Sequence, residues 1–367
     1  MYDLLNMDSD TSFNRFVVEY VWIDGNQKLR GKSRVVENPD QHFDPYNLDK
    51  IISGLSDWNY DGSSTGQAFG CNSEVILRPQ SIFYDPFRFT SDDSRPSYIV
   101  MCDTWDSNGN PHPTNTRYSA NELFSKYESE CPWFGLEQEY FLWDAKTKKP
   151  FNVKSDEELP TQGNYYCGVG SGNALGRHIV EEHFQACLDA GILISGINAE
   201  VAPGQWEFQI GPCEGIEEGD HLWIARYLLY RVCESYGMIP IFDVKPLKGE
   251  WNGSGCHMNF STKNMRDGNK EINKDGIEYI YDAVRKLAVK HDEHMAVYGD
   301  GNNERMTGNC ETSSMSVFTW GVADRTASVR IGNDTYSDRR GYLEDRRPGS
   351  NCDPYVITHK ICETIFE

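Results

Sequence analysis

Two glutamates, Glu137 and Glu139, lie in the middle of an aromatic and aliphatic stretch, WFGLEQEYFLW, that runs from Trp133 to Trp143. In a strand alternate residues share a face, so both carboxylates point one way while Leu136, Gln138 and Tyr140 point the other. Bare carboxylates side by side in an apolar strand repel each other and lose hydration, so cations or a shared proton must compensate. A strand with one wet face and a surface ion pair would explain these two alone, but the theme recurs. NAEVAPGQWEFQIGP (198–212) places Glu200 after a short apolar run and then aligns Gln205, Glu207 and Gln209. WNGSGCHMNFST (251–262) aligns Gly255, His257 and Asn259, and GYLEDRRPGSNCDPY (341–355) aligns Tyr342, Glu344 and Arg346. Five glutamates and one histidine without a cysteine partner make a hard, oxygen-rich set that suits Mg²⁺ or Mn²⁺ rather than structural zinc. Two such ions clamping phosphate oxygens is one solution to phosphoryl transfer. Arg305, Arg325, Arg330 and Arg346 offer guanidinium forks for phosphate or carboxylate. Arg325 and Arg330 have opposite parity on a regular strand, so both reach one site only across a bend or bulge.

Four strands are therefore needed to carry these groups, and the rest of the chain must support them. FVVEYVWID (16–24), a turn at Asp24-Gly25-Asn26 and KLRGKSRVVE (28–37) predict a β-hairpin. EVILRP (74–79) and YIVMCDTW (98–105) predict further strands, whereas DWNYDGSSTGQAFG is too rich in Gly, Ser and Asp for regular structure. SNGNPHPTN (107–115) carries turn residues and marks a domain boundary, giving a first domain of 1–112 and a second of 113–367. Helices are expected over 118–130, over 177–190 ending at Gly191, over 220–236 capped by Asp220 and ended by Gly237, and over 277–298. Strands and helices without a strict βαβ alternation predict an α+β fold.

Composition narrows the function. At 367 residues with 38% apolar content the chain can build two cores. A net charge of −21 argues against nucleic acid or an anionic membrane as partner. No run of eighteen apolar residues is present, and the acidic N-terminus lacks the basic and apolar regions of a signal peptide. Eleven cysteines without a C-x-x-C pair do not resemble a disulfide framework or zinc site. A reduced, cytoplasmic protein is the expectation. GNQKLRGKS (25–33) misses the P-loop spacing and GVGSGNALG (168–176) misses G-x-G-x-x-G, so a nucleotide would need another device.

WNYDGSST, WFGLEQEY, NAEV…QWEFQIGP, WNGSGCH, ETSSM, ADRTASVRI and GYLEDRR…SNCDPY resemble, in order and spacing, the glutamine synthetases of the short eukaryotic type. The resemblance runs from about Val17 to the C-terminus. It implies an N-terminal β-grasp domain, then a catalytic domain with a curved antiparallel sheet flanked by helices. It implies ligation of ammonia to the γ-carboxylate of L-glutamate, with ATP as co-substrate and γ-glutamyl phosphate as intermediate. Two or more Mg²⁺ or Mn²⁺ ions per site are implied, and a homo-oligomer, a decamer of two pentameric rings with sites between subunits. By the same resemblance Glu139, Glu200 and Glu207 hold one metal, and Glu137, His257 and Glu344 the other. Arg330 and Arg346 stabilise the transferring phosphoryl group. Asn252, Gly253, Arg305 and Arg325 hold glutamate, and Trp133, Ser261, Arg330 and Tyr342 contact the nucleotide. By the same resemblance Asp61 reaches in from a neighbouring subunit to bind ammonium and take its proton, and Glu311 closes a flap over the acyl phosphate. Cys310 departs from the pattern by standing where the family has histidine, and Ser254 is a smaller departure. A γ-glutamyl ligase for another amine and a catalytically inert structural homologue are the alternatives; retention of all six ligand positions argues against the second.

Overall fold

The computed structural model describes residues 15–37, 44–88, 96–151, 153, 162–249, 251–310 and 312–367. The chain divides into two compact units, the first of Met1–Asn115 with Asp189–Gly191 and the second of Thr116–Leu188 with Ile192–Glu367.

In the first unit, β1 (Arg15–Ile23) and β2 (Leu29–Glu37) form the expected hairpin, with Arg15 opposite Glu37 and Ile23 opposite Leu29. Asp24 ties its turn: the carboxylate accepts N–H groups of Asn26 at 2.7 Å and Lys28 at 3.0 Å. A short helix, α1 (Leu48–Ser53), follows; Asn47 caps it by accepting from the Lys50 N–H. WNYD was expected to be irregular, yet it forms β3 (Trp58–Asp61) against β4 (Glu74–Tyr84). Trp58 and Tyr60 alternate onto the core, and that apolar pair outweighs the surrounding Gly and Ser. With β5 (Ser97–Trp105) the sheet order is β2-β1-β5-β4-β3, and Val18, Tyr20, Leu77, Tyr98 and Val100 fill the core beside it.

The second unit is built around the acidic strand. After α2 (Thr116–Lys126) comes β6 (Trp133–Asp144), in which Leu136, Gln138 and Tyr140 are fully buried and Glu137 and Glu139 face the other way. Gln138 is a polar side chain on the core face, and two Arg226 nitrogens satisfy its oxygen at 2.9 and 2.5 Å. α3 (Arg177–Ala190) leads into β7 (Ile194–Ala199) and β8 (Gln205–Glu214). α4 (Glu217–Tyr236) follows and ends on Gly237 in the left-handed region, φ 63°. Asp220 does not cap this helix. It lies within it, buried, accepting from Arg117 Nε at 2.7 Å and from the Tyr355 hydroxyl at 2.6 Å.

Beyond β9 (Met238–Ile241) and β10 (Cys256–Ser261) lie α5 (Lys263–Asp267), α6 (Gly276–Val289) and α7 (His291–Met295). The single helix expected over 277–298 is broken at Lys290. The chain then forms β11 (Trp320–Val322), β12 (Val329–Ile331), α8 (Asn333–Asp338) and β13 (Leu343–Asp345). The strand expected over 341–355 is thus three residues long. Asp353 and Pro354 instead start α9 (Pro354–Phe366), which sequence reading missed. The sheet order is β11-β12-β13-β10-β6-β8-β7, with β9 also paired to β6, so the expected α+β class is found. One junction, β11 with β12, is parallel.

Candidate functional site

Register places the acidic groups. Across β6 and β8, Glu139 stands opposite Glu207 and Glu137 opposite Gln209. On the other side of β6, His257 of β10 stands opposite Glu137, and Asn259 pairs in turn with Glu344 of β13. Glu200 follows the last residue of β7, whose Asn198 faces Glu207. The period-2 alternation of four strands thus turns one carboxylate after another to a single face. Two clusters result, Glu139–Glu200–Glu207 and Glu137–His257–Glu344, each offering ligand atoms within 4.8 Å of one another.

The electrostatics of the first cluster ask for a cation. Burial is the main cause that pushes Glu139 up to about 7, Glu200 to about 8 and Glu207 to about 9, and mutual carboxylate repulsion adds to it. Amides take up part of the charge. The Gly255 N–H donates to Glu139 Oε2 at 2.8 Å, and Asn198 Nδ2 donates to Glu200 Oε1 at 3.0 Å. Gln209 donates both to Glu207 and, at 2.7 Å, to Asn198 Oδ1. Three acidic groups served by neutral donors match what a divalent ion needs: oxygen ligands in excess of the local positive charge.

In the second cluster, Asn259 Nδ2 donates to Glu137 Oε1 at 2.8 Å. Arg346 Nη1 lies 2.6 Å and Arg330 Nε 3.2 Å from the two oxygens of Glu344. Desolvation, and then Arg346, push His257 well below its ordinary value, so the ring is neutral and keeps a lone pair for a metal. Its Nδ1 is 3.6 Å from Glu137 and 3.7 Å from Glu344. Both clusters fit hard divalent ions.

These groups line one cavity of about 400 Å³, together with Asn252, Gly253, Arg305, Arg325, Arg330, Tyr342 and Arg346. Arg305 is buried, and its Nη2 donates to the carbonyls of Arg346, Arg347 and Pro348 at 3.2, 2.6 and 3.2 Å. That grip aims the guanidinium; burial lowers it only to about 10, so it stays charged. Gly253 packs under it, where a Cβ would collide with the Val244 carbonyl. The parity conflict between Arg325 and Arg330 resolves because Arg325 sits on a turn between β11 and β12, where Asp324 accepts from the Thr326 N–H at 2.9 Å. Ser254 is absorbed as well: its buried hydroxyl accepts from Gln205 Nε2 at 3.3 Å.

A second cavity of about 440 Å³, mostly apolar, adjoins the first through Glu137, Asn259 and Tyr342. Trp133, Ser261 and Tyr342 line it. Arg266, which sequence reading missed, lies 3.9 Å over the Trp133 ring. An arginine at the end of a five-residue helix carries no pattern that marks it. The amides Asn198 and Gln209 were visible as polar alternation, but their role as partners of glutamates needed the register.

Asp61 is exposed on the first unit and is not among the cavity-lining residues. Its carboxyl accepts the Ser63 hydroxyl at 2.7 Å and N–H at 3.0 Å, which holds it below the usual carboxylate range. Glu311 lies outside the described residues. Its neighbours Cys310 and Thr312 both line the cavity, so Cys310 is not a core packing cysteine.

Residues 114–361 match the family described as the glutamine synthetase catalytic domain. The chain is 50% identical over 365 residues to a cytosolic glutamine synthetase isozyme of Daucus carota, covering 99% of this chain and 98% of that protein. It is also 50% identical over 364 residues to a chloroplastic/mitochondrial glutamine synthetase of Arabidopsis thaliana, covering 98% of this chain and 80% of that one. A nodule isozyme of Lupinus luteus is 49% identical over 365 residues, covering 99% of this chain and 98% of the isozyme.

Proposed function

The chain belongs to the glutamine synthetases, and we propose that it joins ammonia to the γ-carboxylate of L-glutamate with ATP, using the two ligand clusters as sites for Mg²⁺ or Mn²⁺. The observation that carries this reading is the continuity of the two cavities. An acidic, arginine-rimmed chamber adjoins an apolar pocket through Glu137, as phosphates and a base would require.

In this reading Glu139, Glu200 and Glu207 hold one ion and Glu137, His257 and Glu344 the other. Bound divalent ions would neutralise the phosphate oxygens and screen the approach of an anionic nucleophile. Arg305 takes a carboxylate of glutamate, with Asn252 and Gly253 beside it, and leaves the γ-carboxylate facing the phosphates. An oxygen of that group attacks the γ-phosphorus, ADP leaves, and Arg330 and Arg346 balance the charge in flight. The acyl phosphate now carries a leaving group that hydroxide could not provide. Ammonia attacks the acyl carbon, phosphate departs, and a proton passes to a carboxylate, assigned to Asp61 of a neighbouring subunit. Arg325 meets the phosphorylated end, and Glu311 shields it from water. Trp133, Ser261 and Tyr342 hold the nucleotide base and sugar.

The reading extends to a cytoplasmic homo-oligomer, a decamer of two pentameric rings. The cytosolic relative supports the location, and no described helix is long and apolar enough to cross a membrane. The deciding assay offers ammonia, methylamine and a polyamine in parallel and measures ATP-dependent product from glutamate. Glutamine from ammonia is expected; product with the polyamine alone would overturn the assignment.

A further inference from the structure

Glu218, in the first turn of α4, is fully buried yet lines neither cavity. Among the described residues no cation offsets its burial, which pushes it well above the ordinary carboxylate range, while Cys213 and the Leu136 N–H pull it the other way. Burial therefore favours its protonated form.

Its place in the sheet gives that acid a task. Phe134 pairs with Cys213 and Leu136 with Ile210, so Gly135 of β6 faces two residues of β8, Gly211 and Pro212. Such a bulge takes backbone groups out of the ladder, and a buried N–H left without an acceptor is destabilising. Glu218 Oε1 accepts the Leu136 N–H at 3.0 Å. Its Oε2 occupies the other half of the gap, 2.9 Å from where a Cβ on Gly211 would lie. Gly211, at φ 105°, is required there, because the same Cβ would sit 2.6 Å from the Phe134 carbonyl oxygen. The same bulge borders the second cavity: Gly135, Leu136, Ile210, Gly211 and Pro212 form part of its wall. Leu136 also directly precedes Glu137.

We propose that Glu218 is a positioning residue that holds the β6–β8 bulge and thereby shapes the wall of the nucleotide cavity and aims Glu137. This rests on the assignment of the second cavity to the nucleotide. The distinguishing property is the acceptor rather than the charge, so glutamine can replace it and an aliphatic side chain cannot.

The test compares Glu218→Ala and Glu218→Gln in the assembled enzyme by steady-state kinetics with ATP and glutamate varied separately. Glu218→Met, which keeps the volume without the acceptor, replaces alanine if that variant does not accumulate. Alanine or methionine should raise the KM for ATP by about 10- to 100-fold, the range expected for an ångström of misplacement. The KM for glutamate should change less than about twofold, and glutamine should restore the KM for ATP to within about threefold of wild type. An unchanged KM for ATP would overturn the proposal, as would a glutamine variant as impaired as alanine. A uniform loss of kcat with both KM values intact, or failure of alanine and methionine alike to fold beside a normal glutamine variant, would mark Glu218 as purely structural. Tyr342→Ala separates the underlying reading: if it too leaves the KM for ATP unmoved, the nucleotide assignment fails rather than the role of Glu218.

Discussion

Replacing Glu207 by glutamine should stabilise the metal-free protein while removing most of its response to Mg²⁺. In the metal-free fold this carboxyl is raised from 4.5 to about 9, first by burial and then by Glu137, Glu139 and Glu200. Below pH 4.5 both folded and unfolded states are protonated and the shift has no effect. Above it the unfolded chain ionises while the folded site retains its proton, so stability falls as pH rises, until the folded value is passed. One such proton gives a slope of about 1.4 kcal/mol per pH unit, hence about 2.7 kcal/mol between pH 6 and pH 8. Glu207→Gln removes that slope and relieves Glu139 and Glu200, whose values near 7 and 8 share the repulsion. At pH 8 the chelator-treated variant should melt about 5 °C or more above wild type. Mg²⁺ at a hundred times its dissociation constant should return about 2.7 kcal/mol to the wild type and little to the variant. The gain should grow with pH, because the ion displaces protons. Thermal melts of both proteins at pH 6, 7 and 8, with chelator and with Mg²⁺, are the measurement. A wild-type melting point flat across that range in chelator, or an equal Mg²⁺ gain in both proteins, would refute the reasoning.

Asp61→Ala and Glu344→Ala homo-oligomers should each be inactive, and co-assembly from dissociated subunits should recover part of the activity; none in verified mixed oligomers would end the shared-site assignment. Cys310 lines the cavity, so alkylation mapped by mass spectrometry should slow when ATP and a glutamate analogue are bound, and equal labelling in both states would remove it from the site. Cys310→His should keep synthesis and lower the KM for glutamate, since an imidazole adds a hydrogen bond in the cavity that would hold the substrate. Arg305→Lys should lower stability by about 2–4 kcal/mol in urea melts, because one ammonium cannot replace four nitrogen contacts, and should raise the KM for glutamate.

What could be read without coordinates followed the strength of local periodicity. The faces of β6, β8 and β10 were legible because apolar residues alternate with polar ones over six or more residues. α9 was lost because SNCDPY looked like a continuing strand, although Asp353 and Pro354 are a helix start. The cap at Asp220 was misread for the opposite reason: a favourable cap residue was taken at face value while a buried guanidinium, Arg117, claimed it. Glu218 could not be found at all from sequence. Its partner is a backbone N–H exposed by a bulge, and nothing in the residue types announces a bulge.

The two glutamates of β6 act as marks on a ruler. Their spacing is two strand residues, about 6.7 Å along an extended backbone, so the interval between the clusters is set by covalent geometry rather than by loop length. Loops around the cavity can lengthen, shorten or change composition without altering that interval. A one-residue insertion or deletion between Glu137 and Glu139 has no small effect: it rotates one carboxylate onto the face where Gln138 meets Arg226, beside the core. The two clusters must therefore keep the spacing of the strand, and an enzyme built this way can diversify its periphery freely while the interval between its ligand clusters stays beyond the reach of gradual adjustment.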